Sequence, residues 1–263
     1  MNRILKLIIA FIFAIALPLE STESNDLKIY AVKYGKSMFN KRFVFYGDKS
    51  NENIKFCWLL YYIEYNDKKI LIDTGFNDLN SVKVFDIKDF KDPIIILKEN
   101  NIDPDSITDV IITHKHFDHV GNAHKFKNAK FIINRDELIS INNDKNLKTV
   151  SAFFKENKEN KNITTFDDEI MLYNFFKIKK IGGHSIGSSV VFFEYNGGKY
   201  CFTGDEFYLT DNIEKNIGSG TVVNHRKNID FLKFLVSGNY KLFLFHDNRY
   251  FDSGSFIKVF DSK

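Results

Sequence analysis

Four potential metal ligands lie within six consecutive residues, and this cluster limits the possible folds more than any other feature of the chain. A short segment with an apolar centre, 109–113, predicts a buried strand that leads directly into His114, His116, Asp118 and His119. His114 and His116 are two residues apart, so both imidazoles point the same way in an extended segment. The next two ligands lie where the chain can turn into a helix. The spacing indicates one loop shared by two adjacent metal ions.

Three further ligand candidates, His184, Asp205 and His246, each come at or near the carboxyl end of a predicted strand. Sheets in α/β proteins bind their ligands at that edge. Any one of these residues alone has an ordinary alternative, because an isolated histidine is often a capping or core residue and an isolated Gly-Asp pair is often a turn. Together with the cluster they predict a two-metal centre.

The rest of the pattern predicts a layered α/β architecture with helices outside. β-branched and aromatic runs predict strands, and the Asn and Asp at 66 and 67 predict a hairpin turn. The predicted strands are 27–34, 56–65, 69–73, 109–113, 130–133, 175–181, 189–195, 199–203 and 241–245. The predicted helices are 93–100, 135–141, 150–157 and 226–236.

The first 24 residues have the order of a secretory signal peptide. Arg3 and Lys6 precede an apolar run, 7–17, and a polar stretch follows. The run is about eleven residues long, whereas a membrane-spanning helix needs roughly 20, so cleavage is favoured over an uncleaved anchor. We expect residues 1–24 to be a signal peptide, residues 25–263 to form one exported domain, periplasmic or secreted, and no stable membrane span to remain after processing.

Composition adds two limits. The chain has 37 Lys+Arg against 34 Asp+Glu, so charge gives no reason to expect a nucleic-acid partner. Cys57 and Cys201 both lie in apolar, strand-like runs where buried free thiols are expected, although an oxidising compartment leaves a disulfide open. The oligomeric state is open as well.

The ligand pattern resembles that of the metallo-β-lactamase superfamily. His-x-His-x-Asp-His at 114–119 is followed in the same order by the three distant ligands, and Asp73-Thr74-Gly75 matches the superfamily's first motif. The resemblance implies an αβ/βα four-layer sandwich with the metals at one edge. It also implies that Asp73 orients a metal ligand.

The resemblance assigns a role to each ligand candidate. By the superfamily's rule, the first metal is held by His114, His116 and His184, the second by Asp118, His119 and His246, and both by Asp205. Imidazole and carboxylate ligands suit zinc, so two divalent ions, most simply Zn²⁺, are expected, with iron, manganese or cobalt as alternatives. Such a pair acidifies water, which predicts a hydrolase in which Asp118 passes a proton to the leaving group.

Sequence details narrow the substrate class. His119 and Asp205 argue against penicillin-cleaving members, and only 17 residues follow His246, too few for the glutathione-binding region of glyoxalase-II-like thioesterases. The chain is most similar to N-acyl homoserine lactone hydrolases, of quorum-quenching type, through 57–60, 113–122 and Asp205-Glu206-Phe207-Tyr208. In that family the tyrosine hydroxyl points at the substrate carbonyl, so the resemblance makes Tyr208 catalytic beside Asp118.

Several alternatives are open at this stage. Tyr208 can be a packed aromatic, and the enzyme can be another hydrolase of the same fold, such as a thioesterase or phosphodiesterase. A non-catalytic binding module is disfavoured because none of the seven ligands is missing. The family's prolines around the third histidine are absent from 181–188, which leaves the rigidity of that loop open. Phenylalanines within 38–45 can line an acyl-chain pocket or belong to the core.

Overall fold

The computed structural model describes residues 26–159 and 162–263. The strands are β1 (Leu27–Asn40), β2 (Asn53–Tyr65), β3 (Lys68–Ile72), β4 (Asp109–Ile112), β5 (Lys130–Asn134), β6 (Ile163–Phe166), β7 (Glu169–Leu172), β8 (Phe176–Lys180), β9 (Ser189–Tyr195), β10 (Gly198–Phe202), β11 (Lys241–Phe243) and β12 (Phe256–Asp261). The α-helices are α1 (Lys41–Val44), α2 (Leu79–Val84), α3 (Pro93–Glu99), α4 (Phe117–Val120), α5 (Arg135–Asn143), α6 (Lys148–Glu159), α7 (Thr210–Glu214) and α8 (His225–Ser237). Short 3-10 turns lie at Pro104–Ser106, Ala123–Lys125, Gly204–Glu206 and Asn248–Tyr250.

The strands form two sheets. The larger sheet has the order β12-β1-β2-β3-β4-β5-β6, antiparallel from β12 to β3 and parallel from β3 to β6. The smaller sheet has the order β11-β10-β9-β8-β7, in which only the β10–β11 pair is parallel among the described strands.

Successive side chains of the central strands pack on opposite faces of the larger sheet, and both faces are covered. In β2, Tyr61 and Ile63 pack between the two sheets, whereas Leu60 and Tyr62 pack towards the helices of the other face. Successive side chains of a strand point to opposite faces, so a central strand covered on both faces is apolar throughout. The same alternation holds in β4, where Ile111 faces the second sheet.

Helices cover the outer face of each sheet. Helices α3, α5 and α6 pack on the larger sheet. On the smaller sheet, Phe231, Leu232 and Leu235 of α8 pack against Val190 and Cys201. Spacings of three and four residues place apolar side chains on one stripe of a helix. The result is the four-layer αβ/βα arrangement that the sequence predicts.

The predicted elements are confirmed, with differences at their ends and several additions. Strand β1 continues six residues beyond its predicted end at 34, because a bulge between Lys33 and Gly35 keeps it paired with β2. Strand β11 ends at Phe243, two residues before its predicted end. The helical turn expected at Asp118 and His119 is α4. The elements that the sequence did not predict are short or lie at sheet edges, namely α1, α2, α7, β6, β7 and β12.

The predicted signal peptide, residues 1–24, lies outside the described residues. None of the helices within 26–159 and 162–263 is both long enough and apolar enough to cross a bilayer.

Candidate metal centre

All seven ligand candidates lie at one edge of the sandwich, in loops that follow strands. Strand β4 leads into His114 and His116, and the short helix α4 carries Asp118 and His119. The other three candidates, which follow β8, β10 and β11 of the smaller sheet, are His184, Asp205 and His246. Six of the seven side chains are buried, and His116 is half-buried. The two sheets therefore share the centre between them.

The first group consists of three histidines and one carboxylate oxygen. His116 Nδ1 lies 3.0 Å from His114 Nε2 and 2.9 Å from His184 Nε2. Asp205 Oδ2 lies 3.7 Å from His114 Nε2 and 3.6 Å from His184 Nε2. These four atoms converge on one point, as the ligand atoms of a single metal ion do.

The second group uses the other oxygen of the same aspartate. Asp205 Oδ1 lies 3.1 Å from both His119 Nε2 and His246 Nε2. Asp118 Oδ2 completes the group, 3.3 Å from His119 Nε2 and 3.6 Å from His246 Nε2. Asp205 therefore faces both groups with separate oxygens, which is the arrangement of a bridging carboxylate.

Four of the five histidines have an acceptor or hydroxyl beside their outer ring nitrogen, Nδ1. The partners are Thr113 Oγ1 for His114 (3.1 Å), Asp73 Oδ2 for His119 (2.7 Å), the Thr221 carbonyl for His184 (2.7 Å) and the Cys57 carbonyl for His246 (2.8 Å). An imidazole that donates its Nδ1 proton outward turns the lone pair of Nε2 inward. The surroundings thus prepare the inner nitrogens as ligands.

Asp73 connects the strands of the larger sheet to His119. Its carboxylate accepts hydrogen bonds from the backbone nitrogen and hydroxyl of Thr113, both at 2.7 Å, in addition to the contact with His119. Its backbone φ is +66°, in the left-handed region that few residues other than glycine, asparagine and aspartate adopt. The contact fits the ligand-orienting role that the sequence resemblance implies.

Burial and nearby charge shift the pKa values of the histidines in opposite directions in the two groups. Burial lowers the pKa of His184 to about 4 and that of His114 well below its usual value, so both imidazoles are neutral. Burial also opposes the charged form of His119, but Asp205, Asp118 and Asp73 outweigh it and hold the pKa of His119 well above its usual value. Burial therefore keeps His114 and His184 neutral, whereas three carboxylates surround His119.

The residues present fit a pair of divalent ions. His119 Nε2 and Asp205 Oδ1 are buried and 3.1 Å apart, but neither makes a hydrogen bond of suitable geometry, a costly state unless another group satisfies them. In a tetrahedral zinc site with Zn–N near 2.0–2.1 Å, neighbouring ligand atoms lie about 3.3 Å apart. The separations of 2.9 to 3.7 Å within the first group bracket that value. The His/Asp clusters are compatible with a dinuclear metal site.

A cavity of about 360 Å³ opens onto this centre. Four of the ligand candidates line it together with Tyr208 and Thr221, namely His116, Asp118, Asp205 and His246. The rest of the lining is an aromatic wall, which we define as Phe39, Phe43, Phe56, Trp58, Phe85 and Phe117. The Tyr208 ring centroid lies 5.4 Å from that of His246 and 5.9 Å from that of His184. Burial, and then the charge of Asp205, raises the pKa of Tyr208 well above its usual value. Its hydroxyl is therefore a neutral donor beside the centre.

The segment 38–45 divides between the two roles that its sequence allows. Phe39 and Phe43 line the cavity, whereas Val44 and Phe45 belong to the hydrophobic core. Met38 is exposed.

The remaining histidines and both cysteines lie outside the two ligand groups. His124 and His225 are half-buried, and the ring of His225 stacks on Tyr46. Cys57 and Cys201 are buried free thiols, as their apolar surroundings predict.

Sequence reasoning missed two buried carboxylates that hydrogen-bond to the ligand loops, Glu137 and Glu206. Glu206 lies inside the motif Asp205-Glu206-Phe207-Tyr208, but the resemblance gives it no role, and the apolar residues that follow each glutamate are ordinary for an amphipathic segment.

Comparison with known proteins agrees with this geometry. The family model of the metallo-beta-lactamase superfamily matches residues 57–240. A probable metallo-hydrolase of Methanocaldococcus jannaschii is 28% identical over 169 residues, which cover 62% of this chain and 64% of that protein. The match thus spans less than two thirds of the relative's length. The chain belongs to the metallo-beta-lactamase superfamily.

Solved structures show the same fold at low sequence identity. A probable metal-dependent hydrolase from Staphylococcus aureus aligns with a TM-score of 0.70 at 21% identity, covering 84% of this chain and 90% of that one. An N-acyl homoserine lactone hydrolase with N-hexanoyl-L-homoserine at its catalytic metal centre has a TM-score of 0.72 at 22% identity, covering 86% and 96%. A dizinc quorum-quenching lactonase has a TM-score of 0.67 at 16% identity, covering 89% and 94%.

Proposed function

We propose that this chain is a dinuclear metal-dependent hydrolase that opens the ring ester of lactones with an apolar acyl substituent, such as N-acyl homoserine lactones. The observation that carries the proposal is the cavity in which Tyr208 and the aromatic wall face both ligand groups. The fold shared with lactone hydrolases supports it. The metal-ligand roles of the seven histidines and aspartates are part of the proposal.

The chemistry divides between the metals and the protein. Two divalent ions, when bound, supply Lewis acidity and offset the negative charge that develops during ester hydrolysis. Asp118 lines the cavity, so its carboxylate can accept a proton from the attacking water and deliver it to the ring oxygen of the leaving group. Tyr208 donates a hydrogen bond to the ester carbonyl oxygen, where charge accumulates.

The character of the cavity favours an uncharged ester over a phosphodiester. Among the described residues, none of the side chains that line it is a lysine or arginine, and aromatic rings supply much of its surface. Phosphoryl groups are commonly held by arginine or lysine in addition to metal ions. An acyl chain, by contrast, gains by transfer from water to such a wall.

Turnover of a small substrate panel tests the proposal. We expect the Zn²⁺-loaded protein to contain two metal ions per chain and to open N-hexanoyl and N-decanoyl homoserine lactone faster than it cleaves a thioester or a bis(nitrophenyl) phosphate. Asp118→Asn removes the proton carrier and should lower lactone turnover by about 10²- to 10⁴-fold. Metal binding with faster turnover of the thioester or phosphodiester would replace the lactone proposal with that alternative.

We further propose that the chain is exported through residues 1–24. The support is the charged, apolar, polar order of those residues. Expression of the full chain followed by amino-terminal sequencing of the mature protein tests this, and we expect the mature chain to begin near residue 25. A full-length chain confined to the cytosol would contradict export.

A further inference from the structure

The loop that carries His184 cannot hold a proline at Gly182. This loop, residues 181–188, joins β8 to β9. Gly182 has a φ of +70°, whereas proline fixes φ near −65°. Proline is therefore excluded at that position in this backbone, and the rigidity of the loop comes from other contacts.

Glu206, the residue after the bridging aspartate, supplies one set of these contacts. Its side chain is fully buried. One carboxylate oxygen accepts hydrogen bonds from the backbone nitrogens of Gly183 (3.0 Å) and His184 (3.1 Å) and from the Ser188 hydroxyl (2.5 Å). The other oxygen accepts one from the Asn228 side chain at 3.1 Å. The peptide groups on both sides of Gly183 are thereby fixed to the turn that carries the bridging ligand.

Glu137 of α5 connects the same loop to the first histidine pair. One of its oxygens accepts a hydrogen bond from the backbone nitrogen of Lys115 at 2.8 Å, between the two clustered histidines. The other accepts bonds from the backbone nitrogen of Gly187 (2.7 Å) and the hydroxyl of Ser185 (2.6 Å). A single carboxylate therefore joins the two loops that together supply all three histidines of the first group.

Two glycines leave the room that these contacts need. A Cβ atom at Gly183 would lie 2.2 Å from Glu206 Oε2, and one at Gly187 would lie 2.4 Å from Asn134 Oδ1 and 3.0 Å from Glu137 Cγ. Any larger residue at Gly183 would displace the Glu206 carboxylate or the loop, and at Gly187 it would displace Asn134, Glu137 or the loop. Neither glycine has a positive φ. Glycine is needed at both positions because neighbouring side chains approach the backbone closely, and not because of the backbone conformation.

Neither carboxylate has a cationic partner to account for its burial. Within the described part of the chain, no lysine, arginine or histidine side chain lies within ion-pair distance of Glu137 or Glu206. A buried charge without a counter-ion is expensive unless donated hydrogen bonds satisfy it. Nearly all of the hydrogen bonds that these two carboxylates accept come from the loops that carry the ligand candidates. The contacts that offset the cost of burial are therefore the same contacts that hold those loops in place.

We propose that Glu137 and Glu206 are positioning residues that fix the three histidines of the first ligand group, His114, His116 and His184, relative to one another. The proposal rests on the dinuclear function proposed above. It predicts a selective weakening of the first group when either carboxylate is lost, because the second group receives no hydrogen bond from them.

Zinc affinity in two single-site backgrounds tests this selectivity. His246→Ala leaves the first group intact, and His116→Ala leaves the second. In the His246→Ala background, Glu137→Ala and Glu206→Ala should each weaken zinc binding by about 10- to 100-fold. In the His116→Ala background the same changes should leave affinity unaltered. Glutamine, which keeps one acceptor oxygen, should restore part of the loss at either position.

Asp109→Asn is the matched control. Asp109 is also a buried carboxylate, but it lies at the opposite end of β4, where it accepts a hydrogen bond from the Tyr173 hydroxyl. It should lower thermal stability without changing zinc affinity in either background. Equal losses in both backgrounds, or a loss as large in the control, would overturn the positioning role.

Two further variants cover the case in which a glutamate variant fails to fold. Gly183→Ala keeps Glu206 but places a Cβ atom 2.2 Å from its carboxylate, and Gly187→Ala keeps Glu137 but crowds it and Asn134. Both variants should produce the same selective loss. Wild-type affinity in both glycine variants would contradict the proposal. Failure of the unaltered chain to bind zinc would instead contradict the proposed function, so the two failures are distinguishable.

Discussion

Asp73 contacts the metal-ligand candidate His119, and its own backbone is in a strained, left-handed conformation. Its backbone lies at a φ of +66°, and its carboxylate contacts both Thr113 and His119. A left-handed conformation at a residue other than glycine costs of order 1 kcal/mol and persists only where surrounding contacts enforce it. The hydrogen bonds to Thr113 supply that enforcement, and the direction of the His119 ring is the result.

Asp73→Asn should therefore weaken the second ligand group. Asparagine keeps the size of the side chain and tolerates the left-handed backbone, but it removes the charge beside His119 Nδ1. We expect zinc affinity of that group to fall by about 10- to 100-fold, measured by titration in the His116→Ala background. Asp86→Asn is the control, since Asp86 also has a positive φ but is exposed and lies outside both ligand groups. Equal effects of the two changes would contradict the orienting role.

Tyr208→Phe separates a catalytic tyrosine from a packed one. The substitution keeps the ring in the cavity and removes only the hydroxyl. If the hydroxyl donates to the ester carbonyl in the transition state, kcat for lactone opening should fall on the order of 10²-fold with little change in KM. Tyr62→Phe, at a tyrosine buried against the helices, should leave kcat unchanged. An unaltered kcat in Tyr208→Phe would assign this side chain to packing alone.

The sequence predicts the ligand side chains but not the groups that hold them. Histidine and aspartate are rare enough at strand ends for their spacing to carry information, and the structure brings all seven together. The outer partners of His184 and His246 are the backbone carbonyls of Thr221 and Cys57. Every residue has a carbonyl, so no sequence pattern marks these two. Only the folded geometry identifies them.

At the scale of elements, hydrophobic pattern predicts the central strands well and the edges poorly. Strands β2 to β5 each contain a continuous run of buried residues because both faces of the sheet are covered there, and their predicted and observed bounds differ by few residues. The edge strands β7 and β12 are only four and six residues long, and none of their residues is buried. Their pairing depends on partners that are distant in sequence, so the local pattern does not reveal them.

Strand β1 shows how a contact between elements decides a strand's length. Gly35 stands at the bulge in β1, where the polar residues that follow suggest that the strand ends. A Cβ atom there would lie 2.4 Å from Ile87 Cγ2. Glycine thus allows the segment after α2 to pack against β1, and the strand continues to Asn40.

Gly35→Ala should lower the free energy of unfolding. Overpacking at this contact is expected to cost about 1–3 kcal/mol, which urea denaturation measures. Gly254→Ala is the matched control, because a Cβ atom at Gly254 meets no neighbour within 4 Å. The control should change stability by no more than about 0.5 kcal/mol. Equal stability of the two variants would show that the Gly35 contact relaxes without cost.

At the scale of the whole molecule, the proposed centre joins the two sheets. The loop after β4 of the larger sheet carries four of the seven ligands, and the loops of the smaller sheet carry the other three. Without the proposed metal ions, no ion would link the ligands of the larger sheet to those of the smaller sheet, and buried carboxylates and imidazoles would face one another. Stability should therefore depend on the bound ions.

Metal removal should lower the melting temperature. Free metal at 100 times its dissociation constant contributes about 2.7 kcal/mol, which corresponds to roughly 5–10 °C for a chain of this size. Calorimetry of the zinc-loaded protein before and after dialysis against a chelator measures the difference. The doubly substituted His116→Ala/His246→Ala chain should show a much smaller shift on the same treatment. Identical melting temperatures with and without metal would mean that the ions do not join the sheets.

The ligand candidates are spread along the chain, and this has a consequence for the stage of folding at which metal ions can bind. From His114 to His246, the ligand residues come together only after both sheets have formed and docked. A newly made, extended chain offers just the clustered histidines, so the complete centre can select its ions only at the end of folding. Proteins select among first-row metals by geometry, ligand type and metal availability rather than by affinity alone. We therefore expect the metal supply of the compartment in which docking finishes to help determine which ions bind the proposed centre.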